Sequence, residues 1–330
     1  MPSEFELIRR HFERPAGAQS PGASGVLLGV GDDCALMART PGTVLAVSTD
    51  MLVEGRHFSA GDDARLLGHK ALAVNLSDLA AMGATPRWAT LALALPAADE
   101  AWLRDFSAGL FALAERHGLS LVGGDTTRGP LNLCITVMGE VPDGAALRRD
   151  GARAGDEVWV SGELGAAALG LACVQGQVAL QAPERAHALA RLHAPEPRVA
   201  LGLRLRGLAS AAIDVSDGLA GDLGHILARS RVSARIEFAR LPRPGAFARL
   251  GDRALEARCL LSGGDDYELA FTAPAASHTA LRALSDELGL ALTCIGRIEP
   301  AGPGPALQVL EADGQVLPVA GGYDHFADPT

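Results

Sequence analysis

The chain predicts an α/β protein built in layers (α+β), as two related α/β domains. Three observations carry that reading. The chain has 330 residues, 48% of them hydrophobic; this exceeds one average domain and suffices for two buried cores. Short apolar runs of strand character are mixed with Ala- and Leu-rich stretches of helical length. They do not alternate strictly, which fits layered α+β as well as a doubly wound sheet. Finally, the two halves repeat one order: a strand into an Asp-bearing loop, a helix, and a later Gly-Gly-Asp at Gly123–Asp125 and at Gly263–Asp265. Aromatic residues make up only 4%, so both cores must rest on Ala, Leu and Val.

The elements follow in order. Residues 1–14 read as an amphipathic helix with Phe5, Leu7, Ile8 and Phe12 on its apolar side, and 15–25, rich in Pro, Gly, Ala and Ser, as a loop. A strand at 44–47 runs into Ser48-Thr49-Asp50. A helix covers 64–82 and carries Lys70, Asn75 and Asp78. A strand at 88–95 is closed by Pro96. Asp99 caps a long helix that stops at Gly118. Strands at 120–122 and 131–141 flank a connection at 123–130. Residues 142–155 hold turn formers with Arg148 and Arg149 and read as the junction, giving domains at 1–148 and 149–330. Beyond it come a strand at 157–160, helices to about 208, a strand at 211–215 leading into Ser216-Asp217-Gly218, and a helix to Ser230. A strand at 267–272, a helix at 277–288 and a strand at 292–298 follow. A hairpin of 307–310 and 315–317 turns at Asp313-Gly314 and ends at Pro318.

Charge and cysteine usage exclude several classes. The formal net charge is −10, which opposes non-specific nucleic-acid binding but not a nucleotide brought in with metal. Lys70 is the only lysine among 29 Lys and Arg residues. Its setting, Gly68-His69-Lys70-Ala71, is not a Walker sequence, so phosphate charge must be met by metal, Arg and backbone N–H groups. Five cysteines, an odd number with no C-x-x-C pair, predict unpaired thiols in a reducing compartment. The acidic N-terminus lacks the order of a signal peptide, and no apolar run reaches the ~18 residues of a membrane span. The expected location is the cytoplasm, with no membrane or nucleic-acid partner.

The chemistry lies in the aspartates. Asp32 and Asp33 follow Gly29-Val30-Gly31; Asp50 follows Ser48-Thr49; Asp125 follows Gly123-Gly124; Asp214 and Asp217 bracket Ser216; Asp265 and Asp266 precede Tyr267 and Glu268. Oxygen donors at strand ends, on glycine-permitted loops, suit a hard cation such as Mg²⁺. Each motif alone also fits a turn or a helix cap. Asn75 and Asp78 are harder to explain that way, because they share one face of an otherwise apolar helix, where a carboxylate is costly unless paired or metal-bound. Glu268 is expected to point into a cleft. His57 and Tyr323, singly, read as structural or as ligand contacts. Six motifs together, with no Walker lysine, point to Mg²⁺-polyphosphate chemistry.

These stretches resemble the thiamine-monophosphate kinase family, within the superfamily that includes aminoimidazole ribonucleotide synthetase. The resemblance rests on Phe5-x-Leu-Ile, Gly29-Val-Gly-Asp-Asp-Cys-Ala, Ser48-Thr-Asp, His57-Phe58, the run from Lys70 to Ala84, Gly123-Gly-Asp-Thr-Thr-Arg-Gly, Asp214-Val-Ser-Asp-Gly-Leu, Gly263-Gly-Asp-Asp-Tyr-Glu-Leu and Gly322-Tyr-Asp-His-Phe. It implies ATP-dependent phosphorylation of thiamine phosphate to thiamine diphosphate by a homodimer whose N-terminal sheets pair across the dimer. It also implies that Asp33, Ser48, Thr49, Asp50, Asp78, Asp125, Asp214 and Asp217 are Mg²⁺ ligands. Gly124, Asp125, Arg149 and Ser216 fall on ATP contacts; His57, Glu268 and Tyr323 fall on thiamine phosphate contacts. The adenine contact is implied within 99–117, with no residue assigned. A phosphate-monoester acceptor is already ionised near neutral pH. Direct in-line transfer thus needs neither a general base nor a nucleophile, and Asp78 and Asp125 are the most critical ligands. The rival readings are a ligase of the same superfamily, which would release orthophosphate, and a binding module that consumes no ATP. A selenophosphate synthetase is disfavoured by the lack of a reactive cysteine on a glycine-rich N-terminal loop.

Overall fold

The computed structural model describes residues 4–13 and 25–319. These divide into two compact units, one drawn from positions up to Leu79 and from Ala84–Ala146, the other from Ala80–Gly83 and from Leu147 onward. Each has its own sheet.

The first unit begins with helix α1 (Glu4–His11) and a small antiparallel pair, β1 (Val26–Leu28) with β2 (Leu36–Met37). There follow β3 (Thr43–Val53), α2 (Ala64–Ala81), β4 (Thr85–Leu95), α3 (Glu100–Arg116), β5 (Ser120–Arg128) and β6 (Asn132–Pro142). The four long strands lie in the order β3-β6-β4-β5. β6 runs antiparallel to both β3 and β4, while β4 and β5 are parallel. The helices form where the pattern predicts. Asp99 caps α3, its carboxylate accepting from Ala101 N and Trp102 N at 2.9 and 3.0 Å. α2 is apolar nearly all round, with Leu72, Leu76 and Leu79 at most 1% exposed. α2 and α3 cross with their backbones in contact: a Cβ on Gly68 would stand 2.0 Å from Phe106 O, and one on Gly109 1.9 Å from Arg65 O.

Two expectations fail here, for one reason. Ser48-Thr49-Asp50 does not end a strand but lies inside β3, whose ladder with β6 is unbroken from Thr43↔Pro142 to Val53↔Asn132. Gly123-Gly124-Asp125 likewise lies inside β5; after one bulge, Gly123 to Arg128 pair with Thr90 to Leu95. A neighbouring strand supplies the ladder, and pairing overrides the turn preference of Gly and Asp.

The second unit contains β7 (Glu157–Ser161), α4 (Ala166–Val174), α5 (Ala182–His193), α6 (Val199–Leu205), β8 (Ala211–Val215), α7 (Leu219–Ser230) and β9 (Val232–Glu237). It continues with α8 (Ala246–Leu250), α9 (Arg253–Ser262), β10 (Glu268–Ala273), α10 (His278–Leu288), β11 (Leu292–Pro300), β12 (Leu307–Leu310) and β13 (Val316–Leu317). The sheet order is β13-β12-β9-β11-β7-β10-β8. All neighbours are antiparallel except β12 beside β9. Layered α+β is therefore the better description of this unit. Its core includes Val158, Val160, Ile213, Leu223, Ile226, Ile236 and Ile295, each at most 1% exposed. β9 and α9 were not anticipated. β9 follows α7 after the single residue Arg231, at φ +56°, so no Gly or Pro marks the change.

Candidate active site

In the first unit an open cavity of about 900 Å³ lies between α1, the loop after β1, and strands β4 and β5. One part is apolar, with Ile8, Phe12, Val30, Met37 and Leu121. The other carries Gly31, Asp32, Asp33 and Gly123 to Thr126. The structure thus brings Asp33 and Asp125 to one cavity, and both are exposed. Asp32 Oδ1 accepts from Asp33 N at 2.9 Å, tightening this loop. Gly124 has φ +150°, and a Cβ there would lie 1.9 Å from Leu91 O. No other residue fits, and the bare backbone is what lets β5 pass β4 beside the cavity. Apolar walls joined to a Gly- and Asp-rich floor match the two ends of a nucleotide.

A second acidic group forms on β3. Ser48 Oγ donates a short hydrogen bond to Asp78 Oδ2 on α2. Two residues on, the N–H of Asp50 donates to Asn75 Oδ1 at 3.1 Å. Asn75 is held in turn, its Nδ2 donating to Ala71 O at 3.0 Å. Ser48 and Asp50 share the α2 side of the strand. Thr49 points to the other face, where its hydroxyl meets that of Thr136 at 2.8 Å. This group is separate from the cavity. Asp50 is in register with Ile135, Leu91 and Gly124 across β3-β6-β4-β5. The two acidic groups therefore stand at opposite edges of the sheet, three strand spacings or about 14 Å apart. Beyond β3, Val53 N donates to His57 Nδ1 at 3.0 Å. A neutral His57 must then carry its proton on Nε2.

In the second unit, β8 and β10 are neighbours, so Asp214-Val215-Ser216-Asp217-Gly218 and Gly263-Gly264-Asp265-Asp266-Tyr267-Glu268 pack together. Asp214 pairs with Leu269 and is 5% exposed. Asp265 N donates to Ser216 O at 2.9 Å and Tyr267 N to Val215 O at 2.8 Å. Asp265 and Tyr267 adopt φ +69° and +49°, strained values for side-chain-bearing residues. Arg149 is exposed; its carbonyl accepts from Ser230 Oγ at 2.8 Å. Its charge is felt by Asp222 on α7, and Asp222 in turn bonds Ser216 and Asp217. Burial pushes the Asp222 carboxyl up to about 7.

Glu268 does not face a cleft. It is fully buried, its oxygens taken by Ser161 Oγ (2.6 Å), Arg191 Nη2 (2.5 Å), and Arg198 Nε (2.6 Å) and Nη2 (2.5 Å). Arg191 and Arg198, with side chains 15% exposed, are the parts of this cluster that reach solvent. Beside it, Asp266 accepts from Gly165 N at 2.7 Å at the start of α4, and burial pushes its carboxyl up to about 8. Sequence reasoning missed Arg191, Arg198 and Asp222. The available signals were an arginine inside an Ala- and Leu-rich helix and an aspartate between Leu219 and Leu223. Tyr323 lies outside the described residues.

Comparison with known proteins decides the family. Residues 31–141 match the N-terminal domain, and 153–305 the C-terminal domain, of the AIR synthase related proteins. The chain is 47% identical over 330 residues to the thiamine-monophosphate kinase of Salmonella typhimurium, covering 99% of each chain. The chain belongs to the thiamine-monophosphate kinase family. Among solved structures it is similar to the thiamine-monophosphate kinase of Stenotrophomonas maltophilia, at 47% identity and a TM-score of 0.83, covering 95% of this chain and 96% of that one. It is also similar to AaThiL in complex with AMPPCP and TMP, at 30% identity and a TM-score of 0.76, covering 88% and 89%.

The family resemblance implies Mg²⁺, and the donor set is a test of it. Among the described residues no three His, Cys, Asp or Glu side chains converge as a preformed metal cluster. The candidate donors are carboxylates and hydroxyls throughout, exposed at Asp33, Thr49 and Asp125. That fits Mg²⁺, which takes one or two protein carboxylates together with phosphate oxygens and water rather than an all-protein cage. Zinc favours several His and Cys ligands together, whereas the described lining of the cavity offers a single one, Cys34.

Proposed function

We propose that this chain transfers the γ-phosphoryl group of ATP to thiamine phosphate, giving thiamine diphosphate and ADP. The observation that carries the reading is a cavity floored by Gly31–Asp33 and Gly123–Asp125, in a chain that matches thiamine-monophosphate kinases from end to end. An ionised oxygen of the acceptor phosphate attacks the γ-phosphorus, and the bond to the β–γ bridging oxygen breaks. Both partners are anions, so bound Mg²⁺ supplies the neutralising charge. In this reading the chain's own part is to orient. Gly124 presents its backbone to the polyphosphate, and Asp33 and Asp125 hold the cation end of the cavity. Arg149 and Ser216 contact ATP, Asp214 and Asp217 add oxygen donors, and His57 and Tyr323 contact thiamine phosphate. Glu268 fixes Arg191 and Arg198 rather than meeting the thiazolium itself. Positions 1–148 form the ATP- and Mg²⁺-binding, dimerising part, and 149–330 supply further metal and substrate contacts.

The reading includes a homodimer. On the open face of the first sheet, Leu45, Val47 and Met51 are 49%, 61% and 56% exposed, and among the described residues β3 is an edge strand. A second copy laid there covers apolar surface. It also gives the Ser48–Asp50–Asp78 edge of one copy a route to the Asp125 edge of the other, which one sheet holds about 14 Å apart. Five unpaired cysteines support work in the reducing cytoplasm. Among the described residues no helix is long and apolar enough to cross a membrane.

The test is transfer from γ-labelled ATP with Mg²⁺, offering thiamine phosphate and, separately, thiamine. Label in thiamine diphosphate, none without Mg²⁺ and none on thiamine, is the expected result. Labelled orthophosphate with no labelled thiamine product would move the chain to the ligase branch.

A further inference from the structure

We propose that Asp222 is a positioning residue that clamps the Ser216–Asp217 peptide from beneath, setting the shape in which these two residues meet nucleotide and cation. The proposal rests on the kinase reading. Asp222 sits in the first turn of α7 and is 4% exposed, with its neighbours Leu219, Leu223 and Ile226 fully buried. One of its oxygens, Oδ2, accepts two backbone N–H groups, from Ser216 at 3.0 Å and from Asp217 at 3.1 Å. These bonds serve the loop rather than the helix. The regular helical bond of Asp222 is intact, its own N–H reaching Gly218 O at 3.0 Å, and the two N–H groups it holds lie ahead of the N-cap Gly218.

The grip is two-sided. While Asp222 takes the N–H of Ser216, Asp265 N takes its carbonyl at 2.9 Å. That approach is close enough to require glycine at 264, where a Cβ would stand 2.4 Å from Ser216 O. The holding segment is itself strained, with Asp265 and Tyr267 in the left-handed region, and such strain persists only where the surroundings over-determine it. Ser216 is thus fixed at both its N–H and its C=O. A buried carboxylate is a costly way to satisfy two N–H groups, and the groups it satisfies belong to the two residues that the kinase reading assigns to ATP and Mg²⁺. Fixing them before ligand arrives lowers the ordering cost of binding.

The experiment compares Asp222→Ala, Asp222→Asn and Gly264→Ala with the parent chain in three readouts: amide hydrogen exchange over 214–218, the Kd of AMPPCP with Mg²⁺, and the Kd of thiamine phosphate. Asp222→Ala is expected to lose exchange protection at Ser216 and Asp217 and to weaken AMPPCP at least tenfold, leaving thiamine phosphate binding unchanged. Asp222→Asn, whose amide oxygen accepts the same two N–H groups, should stay within about threefold of the parent and keep its protection. Gly264→Ala, which pushes Ser216 from the other side, should follow Asp222→Ala. If Asp222→Ala does not fold, Asp222→Ser, too short to reach the loop, takes its place with the same expectations. Unchanged protection and unchanged AMPPCP affinity in the truncated variant overturns the clamp. So does an Asn variant that keeps its protection yet binds AMPPCP as poorly as the truncation. These readouts need no turnover. A parent chain that makes no thiamine diphosphate sinks the kinase reading while the exchange result still decides the clamp.

Discussion

In the first unit the candidate acids are exposed or half-buried, on a loop, on strands and on α2; in the second, three further acids are buried and already spoken for. Asp33 and Asp125 are exposed beside an open cavity, and Ser48, Asp50 and Asp78 gather at the far sheet edge. Asp222, Asp266 and Glu268 are each at most 4% exposed, and each holds named partners: the Ser216–Asp217 peptide, the start of α4, and a pair of arginines. The difference teaches that acid-rich motifs of similar appearance do two jobs. Exposed carboxylates keep charge available for something that arrives. These three buried ones are committed to backbone N–H groups or to arginines.

The comparison is tested hardest at Glu268. Arg198→Met leaves a buried carboxylate with one guanidinium in place of two. Removing one member of a buried pair costs about 3–5 kcal/mol, so chemical denaturation should show a loss of that order. In the first unit Asp125→Asn, at an exposed position, should move stability by no more than about 0.5 kcal/mol. Equal effects at the two positions would erase the distinction.

The order reverses for turnover. Asp50→Asn, Asp78→Asn and Asp125→Asn should each lower kcat at least ~100-fold, about 2.7 kcal/mol of barrier, while the thermal midpoint stays nearly fixed. If the two sheet edges serve one site across a dimer, co-expressed Asp50→Asn and Asp125→Asn chains should recover part of the activity that neither variant has alone, because a mixed dimer keeps one site with both acids. Two folded, dimeric variants that stay inactive when mixed would confine each site to one chain.

Much of this was legible beforehand, because the signals were local. Asp99 as a cap, the apolar periodicity of α2, and Asp and Gly at fixed offsets all act within a turn or two. What was not legible depends on partners distant in sequence. Ser48–Asp50 and Gly123–Asp125 read as loops until β6 and β4 supply their ladders. Glu268 read as open to a cleft until Arg191 and Arg198, 77 and 70 residues away, close over it. β9 was hidden because Arg231, rather than glycine, takes the left-handed turn before it.

The last effect separates the units by pH. Asp266 is buried and its folded carboxyl sits at about 8, whereas an unfolded aspartate titrates near ~3.9. Between those values the unfolded chain has released a proton that the folded chain still holds. Stability from this group is therefore complete at low pH and falls as pH rises, by at most ~1.4 kcal/mol per pH unit, until the folded group ionises. Glu140 in the first unit has the opposite sign. Burial raises its pKa, but the N–H and hydroxyl of Thr40 (2.6 and 2.7 Å) and the Arg87 guanidinium (2.9 Å) outweigh it and hold the carboxyl below its ordinary value. Its contribution is present above the unfolded pKa and is lost as pH falls through the folded one. Asp266→Asn should flatten the decline in melting temperature from pH 6 to 8, and Glu140→Gln should flatten the decline on the acid side. An Asp266→Asn chain that keeps the full alkaline slope would show that this carboxylate is ionised in the fold, and that the second unit neutralises its buried acids with arginine and backbone N–H groups alone.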